Sequence, residues 1–356
     1  MSSLMIRLRT ASLLLLRVFF TAFWLGWLSA GCTSQPVVAA DSAGPTFTHG
    51  LLAREHWAQN GGVSTLTEEQ RAQVRLLDEL VHISVTRVAR LPISTSPRTD
   101  AIATCRVINQ VLIEHGYKLK IPTDLISNAL TPGLKEGDTS GSSRTFDCDT
   151  GSFIYLAVFE TLKQPACLVE IPSHNFVRLK LRDGTTFNWD VNDAETYTND
   201  QFRQGDPRTS SPFSRATEAQ GHFLADMTPA ETQAYHTGLI GSVLRKAGRA
   251  DLAFAELQAA VAARPYAAGL RNNAAWDVAV ALSLQTPANL DLALQFARSA
   301  VAQMPHDNNY IDTLAAVHAA RREFDQAIEV EKTGNNDPQR IQAYRDKKNP
   351  ADLGWD

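Results

Sequence analysis

The chain has no excess of positive charge. Its 356 residues carry 34 Lys and Arg against 38 Asp and Glu, a net charge of −4. A protein that grips phosphate backbones is usually basic, so nucleic acid is not an expected partner. No glycine-rich phosphate loop is present, and eight histidines (His49, His56, His82, His115, His222, His236, His306 and His318) are scattered without a metal-ligand cluster. No cofactor and no metal is therefore expected. The strongest apolar run, Val18 to Leu28, is shorter than the ~20 residues of a comfortable bilayer span. With 44% apolar and 20% charged residues, collagen-like, wholly disordered and polytopic membrane chains are excluded. The length predicts two domains, each with its own core.

Residues 1–31 contain Arg7, Arg9 and Arg17 and no acid. A positive segment followed by a short apolar run reads as an export signal. Its removal leaves a body three charges more acidic than the −4 of the whole chain. The run ends in Leu28-Ser29-Ala30-Gly31-Cys32, which resembles a bacterial lipobox, although the usual leucine sits one place nearer the cysteine. The resemblance implies lipidation at Cys32. Thr33 follows where an aspartate would favour the inner membrane, so the same resemblance implies a lipid anchor in the outer membrane, facing the periplasm. A plain secretory signal with a coincidental cysteine is the alternative. Three cysteines remain, Cys105, Cys148 and Cys167, an odd number that leaves at least one thiol unpaired or paired between chains in an oxidising compartment.

Residues 32–63 read as a Ser-, Ala-, Gly- and Pro-rich tether. Thr67 and Gln70 form a capping box for a helix to about Ala89, and Asp100 is the expected cap of a second helix ending near Gly116. Residues 131–147 are loop-like. Residues 149–163 are apolar on nearly every side and predict a buried helix, followed by strands at 166–172, 175–181 and 185–191. The polar stretch 206–227 is the expected linker between a first domain, 64–205, and a helical one, 228–346, with a tail at 347–356.

The helical region carries an internal repeat. DLAFAELQAAVAARP at 251–265 aligns with DLALQFARSAVAQMP at 291–305, and Ala293 recurs as Ala327 thirty-four residues on. Gly241 and Ala253 sit where two helices need small residues to touch. The segment SLQTPANL lengthens the first interval. These features resemble tetratricopeptide repeats, which implies an all-α solenoid with a concave surface for a protein partner.

Cys148 precedes the buried helix, where a helix N-terminus favours a thiolate and is expected to draw its pKa from ~8.5 toward neutrality. His174 begins one strand and Asp190 ends the next, with Arg182-Asp183-Gly184 between them as a three-residue hairpin loop. That loop opposes Leu181 to Thr185 and puts His174 and Asp190 on one face as diagonal neighbours, ~7–8 Å apart at the backbone. Val177, Leu179, Leu181, Phe187, Trp189 and Val191 then share the other face. A two-residue Asp183-Gly184 turn satisfies the apolar alternation about equally and would separate His174 from Asp190. Trp189 fits the core, Asp147 and Asp149 fit helix caps, and Arg178 fits either a substrate contact or a solvated surface.

A cysteine opening a helix (DCDTGSFIYLAVFE), a histidine in VEIPSHNFVRL and an acid in FNWD resemble the transglutaminase-like superfamily. The resemblance spans residues 65–205 and is strongest over 145–200. It implies an α+β papain-like core of helices and a small antiparallel sheet, with Cys148, His174 and Asp190 as catalytic residues. In many bacterial relatives a glutamate follows the Asn-aromatic pair, so Asp190 is one methylene shorter. The implied activity is hydrolysis or acyl transfer on amides of a protein or peptide substrate, and the alternative is a catalytically silent outer-membrane scaffold. A thiol that must stay reduced leaves Cys105 and Cys167 as the pair for any disulfide, with two buried free thiols as the competing reading. The oxyanion hole would use the Cys148 amide and a second donor that no motif reveals.

Overall fold

The computed structural model describes residues 44–119, 125–131, 144–205 and 212–355. The export segment and Cys32 lie outside the described residues. The first helix, α1 (Phe47–Gln59), falls inside the expected tether. It is folded because Leu51, Leu52 and Ala58 are buried along one stripe together with the polar Glu55 and His56. Three polar residues on the buried face, Thr48 with these two, disguise that stripe in the sequence.

Helix α2 (Glu68–Val88) starts at the expected Thr67–Gln70 capping box. Helix α3 (Pro97–Glu114) is capped by Ser96, whose side chain accepts the Thr99 amide. Asp100, expected in that role, instead accepts the Ser94 amide at 2.9 Å. Strand β1 (Tyr117–Leu119) pairs in parallel with β2 (Arg144–Phe146), a three-residue pair too short to register as a pattern. Between them lies the short helix α4 (Ile126–Ala129). Helix α5 (Cys148–Thr161) is the expected buried helix, with Phe153, Ala157, Val158 and Phe159 fully enclosed.

Strands β3 (Ala166–Ile171), β4 (His174–Lys180) and β5 (Thr186–Trp189) form an antiparallel sheet in that order. Val177 opposes Trp189 and Leu179 opposes Phe187. The Leu181 amide donates to the Thr185 carbonyl at 2.8 Å, and Gly184 takes a φ of 82°, a left-handed conformation that glycine adopts at no steric cost. The connection is thus the three-residue loop. Val177, Leu179, Leu181, Phe187, Trp189 and Val191 all join the main core against α5.

Helices α6 (Asn199–Gln204) and α7 (Arg215–Gly221) follow. The segment expected as a linker, 206–227, is folded over its second half. Leu224 donates its amide to the Glu170 carbonyl and Met227 donates to that of Leu168, at 3.0 and 3.1 Å. Asp226 bridges Val169. Backbone bonds along β3 hold this stretch, so its polar side chains say nothing about its order.

The rest is helical: α8 (Pro229–Lys246), α9 (Ala250–Ala263), α10 (Ala268–Val280), α11 (Pro287–Gln303), α12 (Asn308–Ala320), α13 (Phe324–Glu331) and α14 (Pro338–Arg345). Ala253, Ala293 and Ala327, the repeated alanines, are each fully buried. A methyl group on Gly241 would lie 3.2 Å from Leu257, so α8 and α9 approach closely at the glycine. The inserted SLQTPANL forms a 3-10 turn and the Thr286-capped start of α11. The expected tail is packed too, with Trp355 edge-on to Tyr344 at 5.7 Å and Pro350 buried. The whole is mostly helical with a small antiparallel sheet and a short parallel pair, an α+β half followed by a helical half. The described residues form one compact unit.

Glu55 ties these parts together. Fully buried, its carboxylate accepts the Ile126 and Ser127 amides at 2.8 and 2.7 Å, and His236 Nε2 of α8 lies 2.8 Å away. Removing one member strands the other buried polar groups. Glu55→Ala should therefore cost roughly 3–5 kcal/mol in chemical denaturation, and Glu55→Gln, which keeps an acceptor and the volume, should cost less. A loss below about 1 kcal/mol for Glu55→Ala would show that the joint carries no weight.

Candidate active site

Cys148 is the first residue of α5, and the helix begins there because Asp147 accepts the Thr150 amide at 3.0 Å. Thr150 Oγ1 receives the Asp147 amide in return, also at 3.0 Å. Such a reciprocal cap typically stabilises a helix start by about 1 kcal/mol. One turn in, Gly151 lets the helix lie directly on the sheet. A methyl group there would sit 2.9 Å from Phe146 and 3.1 Å from Val191. Val191 directly follows Asp190, so the same contact brings the helix start beside the acid.

His174 and Asp190 meet as the three-residue hairpin requires. His174 Nε2 lies 2.7 Å from Asp190 Oδ2, and both residues are buried. The second carboxylate oxygen accepts the Asn192 amide at 2.9 Å, so the acid is held on both sides. Phe202 of α6 stacks on Phe176 with ring centroids 4.0 Å apart and covers this face of the sheet. The Asn175 backbone amide favours the Cys148 thiolate, which brings β4 beside the start of α5. Cys148 is half-buried, as is Cys167, whereas Cys105 is fully buried.

The electrostatics overturn one expectation. Burial pushes the Cys148 thiol well above its ordinary range. The carboxylates of Asp149 and Asp147 push it further, the Asn175 amide opposes them, and Asp190 adds to the rise. The helix N-terminus is present, but desolvation and three negative neighbours outweigh it. The resting thiol is neutral, and a base must take its proton when it reacts.

Sequence reasoning missed the groups behind the thiol. Asp149 Oδ1 accepts two hydrogen bonds, from Asn175 Nδ2 and from the Tyr235 hydroxyl, each 2.5 Å long. Asn175 follows His174 directly, which is the one signal that could have marked it. Tyr235 belongs to α8, and nothing in its neighbourhood resembles a site motif.

Other expected roles resolve into structure. Trp189 is core. Arg178 is neither a substrate contact nor solvated, because it is buried and donates to Asn188, Asn199, Asp226 and the Leu224 carbonyl. Cys105 and Cys167 are free, against the expected bridge. The sheet separates them, with Cys105 in the main core on the α5 side and Cys167 against the Val169–Phe202 cluster on the other. Burial pushes Cys105 well up and Cys167 up to about 12. Among the described residues no group of three metal-ligating side chains converges.

The thiol's neighbours yield a signed prediction. Asp149→Asn removes a negative charge beside Cys148, which favours the thiolate and lowers the thiol pKa. Alkylation of Cys148 by iodoacetamide at pH 8, followed by peptide mapping, should quicken about threefold to tenfold. A rate equal to or below that of the wild type would remove Asp149 from the account of the raised thiol.

Compared with known proteins, the chain matches no family model and no curated sequence.

Proposed function

We propose that the protein is a periplasmic, membrane-anchored thiol enzyme that hydrolyses or transfers acyl groups from amides of protein or peptide substrates. In this reading a transglutaminase-like domain carries the chemistry and tetratricopeptide-like helices bind a protein partner. The observation that carries it is the buried His174–Asp190 hydrogen bond of 2.7 Å, with Asp190 close enough to Cys148 to act on its thiol.

The chemistry follows from those positions. Asp190 occupies Nε2, so Nδ1 is the ring nitrogen left to accept the Cys148 proton as sulfur attacks a carbonyl carbon. The carboxylate fixes the tautomer and stabilises the imidazolium. Amides of the first helical turn lack intrahelical acceptors, and that of Cys148 can donate to the developing oxyanion. Collapse of the tetrahedral intermediate breaks the C–N bond, the imidazolium protonates the departing amine, and a thioester remains. Water or an acceptor amine then attacks the thioester, giving back its proton through His174 and restoring the thiol. The thiol is neutral at rest, so proton removal accompanies attack and does not precede it.

The raised thiol also supports the second reading, a silent scaffold in which Cys148 never ionises. Two variants separate the readings. Cys148→Ala should abolish amide turnover on a mixed peptide pool, by at least ~10³-fold, without moving the melting temperature, because the thiol sits at a helix end. His174→Ala should suppress Cys148 alkylation below pH 8. Turnover that survives Cys148→Ala, or alkylation indifferent to His174→Ala, would favour the scaffold.

The anchor is tested separately. Cys32→Ser should move the protein from the membrane fraction to the soluble periplasm or block its processing. Unchanged fractionation of a correctly cleaved variant would end the lipoprotein reading.

A further inference from the structure

The groups around Cys148 close into a ring that passes through the helical half. Cys148 and Asp149 are consecutive on α5. Asp149 accepts from Tyr235 of α8 and from Asn175 of β4, and Asn175 Nδ2 also lies 3.2 Å from the Tyr235 oxygen. Asn175 pairs with Glu170 of β3. Glu170 accepts from Arg264 at the end of α9. Arg264, 2% exposed, lies over the Tyr235 ring, 5.7 Å from its centroid. Asn175 is fully buried and returns the ring to its start, since its backbone amide acts on Cys148 in favour of the thiolate.

We propose that Tyr235 is a positioning residue of the Cys148 site, reaching in from the helical half to hold Asp149 and Asn175 and thereby set the reactivity of the thiol. The inference rests on the reading of Cys148, His174 and Asp190 as a thiol site. The groups that act on the thiol are Asp147 and Asp149 on α5, the Asn175 amide on β4 and Asp190 beyond β5, with Tyr235 on α8 beside them, His174 bonded to Asp190 and the Glu170–Arg264 pair behind the tyrosine. Two physical effects run through the hydroxyl. Its O–H dipole points at Asp149 and offsets part of that negative charge as felt at the sulfur. Its contact with Asn175 steadies the strand whose amide stabilises a thiolate. Loss of the hydroxyl acts in one direction on both counts, raising the thiol and slowing its reaction at a fixed pH. The helical half is then part of the site and more than a docking appendage.

The test follows Cys148 alkylation by iodoacetamide from pH 6 to 10, by peptide mapping of the full soluble chain. The variants are Tyr235→Phe, Asp149→Asn, both together, and His174→Ala. Tyr235→Phe keeps the ring against Arg264 and should slow alkylation at pH 8 about threefold to tenfold, with its midpoint moved upward. The same change made on the Asp149→Asn background should slow alkylation clearly less, because the route through the carboxylate is gone and only the Asn175 contact remains. A wild-type profile for Tyr235→Phe overturns the proposal, as does an equal slowing on both backgrounds. A Tyr235→Phe chain that fails to fold overturns it too, by making the hydroxyl a determinant of the fold. Indifference to His174→Ala would sink the acyl-transfer reading alone, because the Tyr235 comparison reads the thiol directly.

Discussion

The hairpin between β4 and β5 is the constraint on which the site depends. A sheet has a side-chain period of two, so a slip of one residue would move every side chain of β5 to the other face. In the observed register Phe187 and Trp189 enter the core with Val177 and Leu179, while His174 and Asp190 meet on the opposite face. The core and the imidazole–carboxylate pair are satisfied by one choice of loop. Gly184 makes that choice accessible, because its φ of 82° is strained for residues with a side chain.

The helix that carries Cys148 illustrates a contest of two effects. A helix N-terminus offers roughly half a positive charge spread over its first turn. Against it stand burial, the flanking Asp147 and Asp149, and Asp190. Burial amplifies every nearby charge by lowering the local dielectric, so the carboxylates weigh more here than on a surface. The result is a thiol in its neutral form, acted on by the Asn175 amide and adjacent to a strand whose histidine is oriented by a carboxylate. Reactivity is thereby made to depend on proton transfer within the site.

What could be read from the sequence follows from how local each determinant is. The Thr67–Gln70 cap, the apolar α5 and the Arg182-Asp183-Gly184 loop are set by residues within a few positions of one another, and they stand as expected. Helix α1 was hidden because Glu55 on its buried face is satisfied by partners 71, 72 and 181 residues away. Cys148, His174 and Asp190 were legible as a constellation, yet Tyr235 was not, being 86 residues from Asp149 and on a helix with its own repeat pattern. The direction of the thiol's shift escapes the sequence for a similar reason. A helix start is visible in a sequence, whereas the depth of its burial is a property of the assembled core.

The stretch from Leu224 to Met227, bonded to β3 through the Glu170 and Leu168 carbonyls, has a consequence for dividing the chain. Without it, β3 would present an open edge with unpaired carbonyls, a template for strand pairing with other molecules. A truncation that ends near residue 206, natural as it looks from composition, would bare that edge and the apolar cluster of Val169, Ile171 and Phe176, against which Leu224 packs. Such a fragment would be prone to self-association even if its core were intact. The solubility of the first half is thus supplied by residues that a composition profile assigns to neither half.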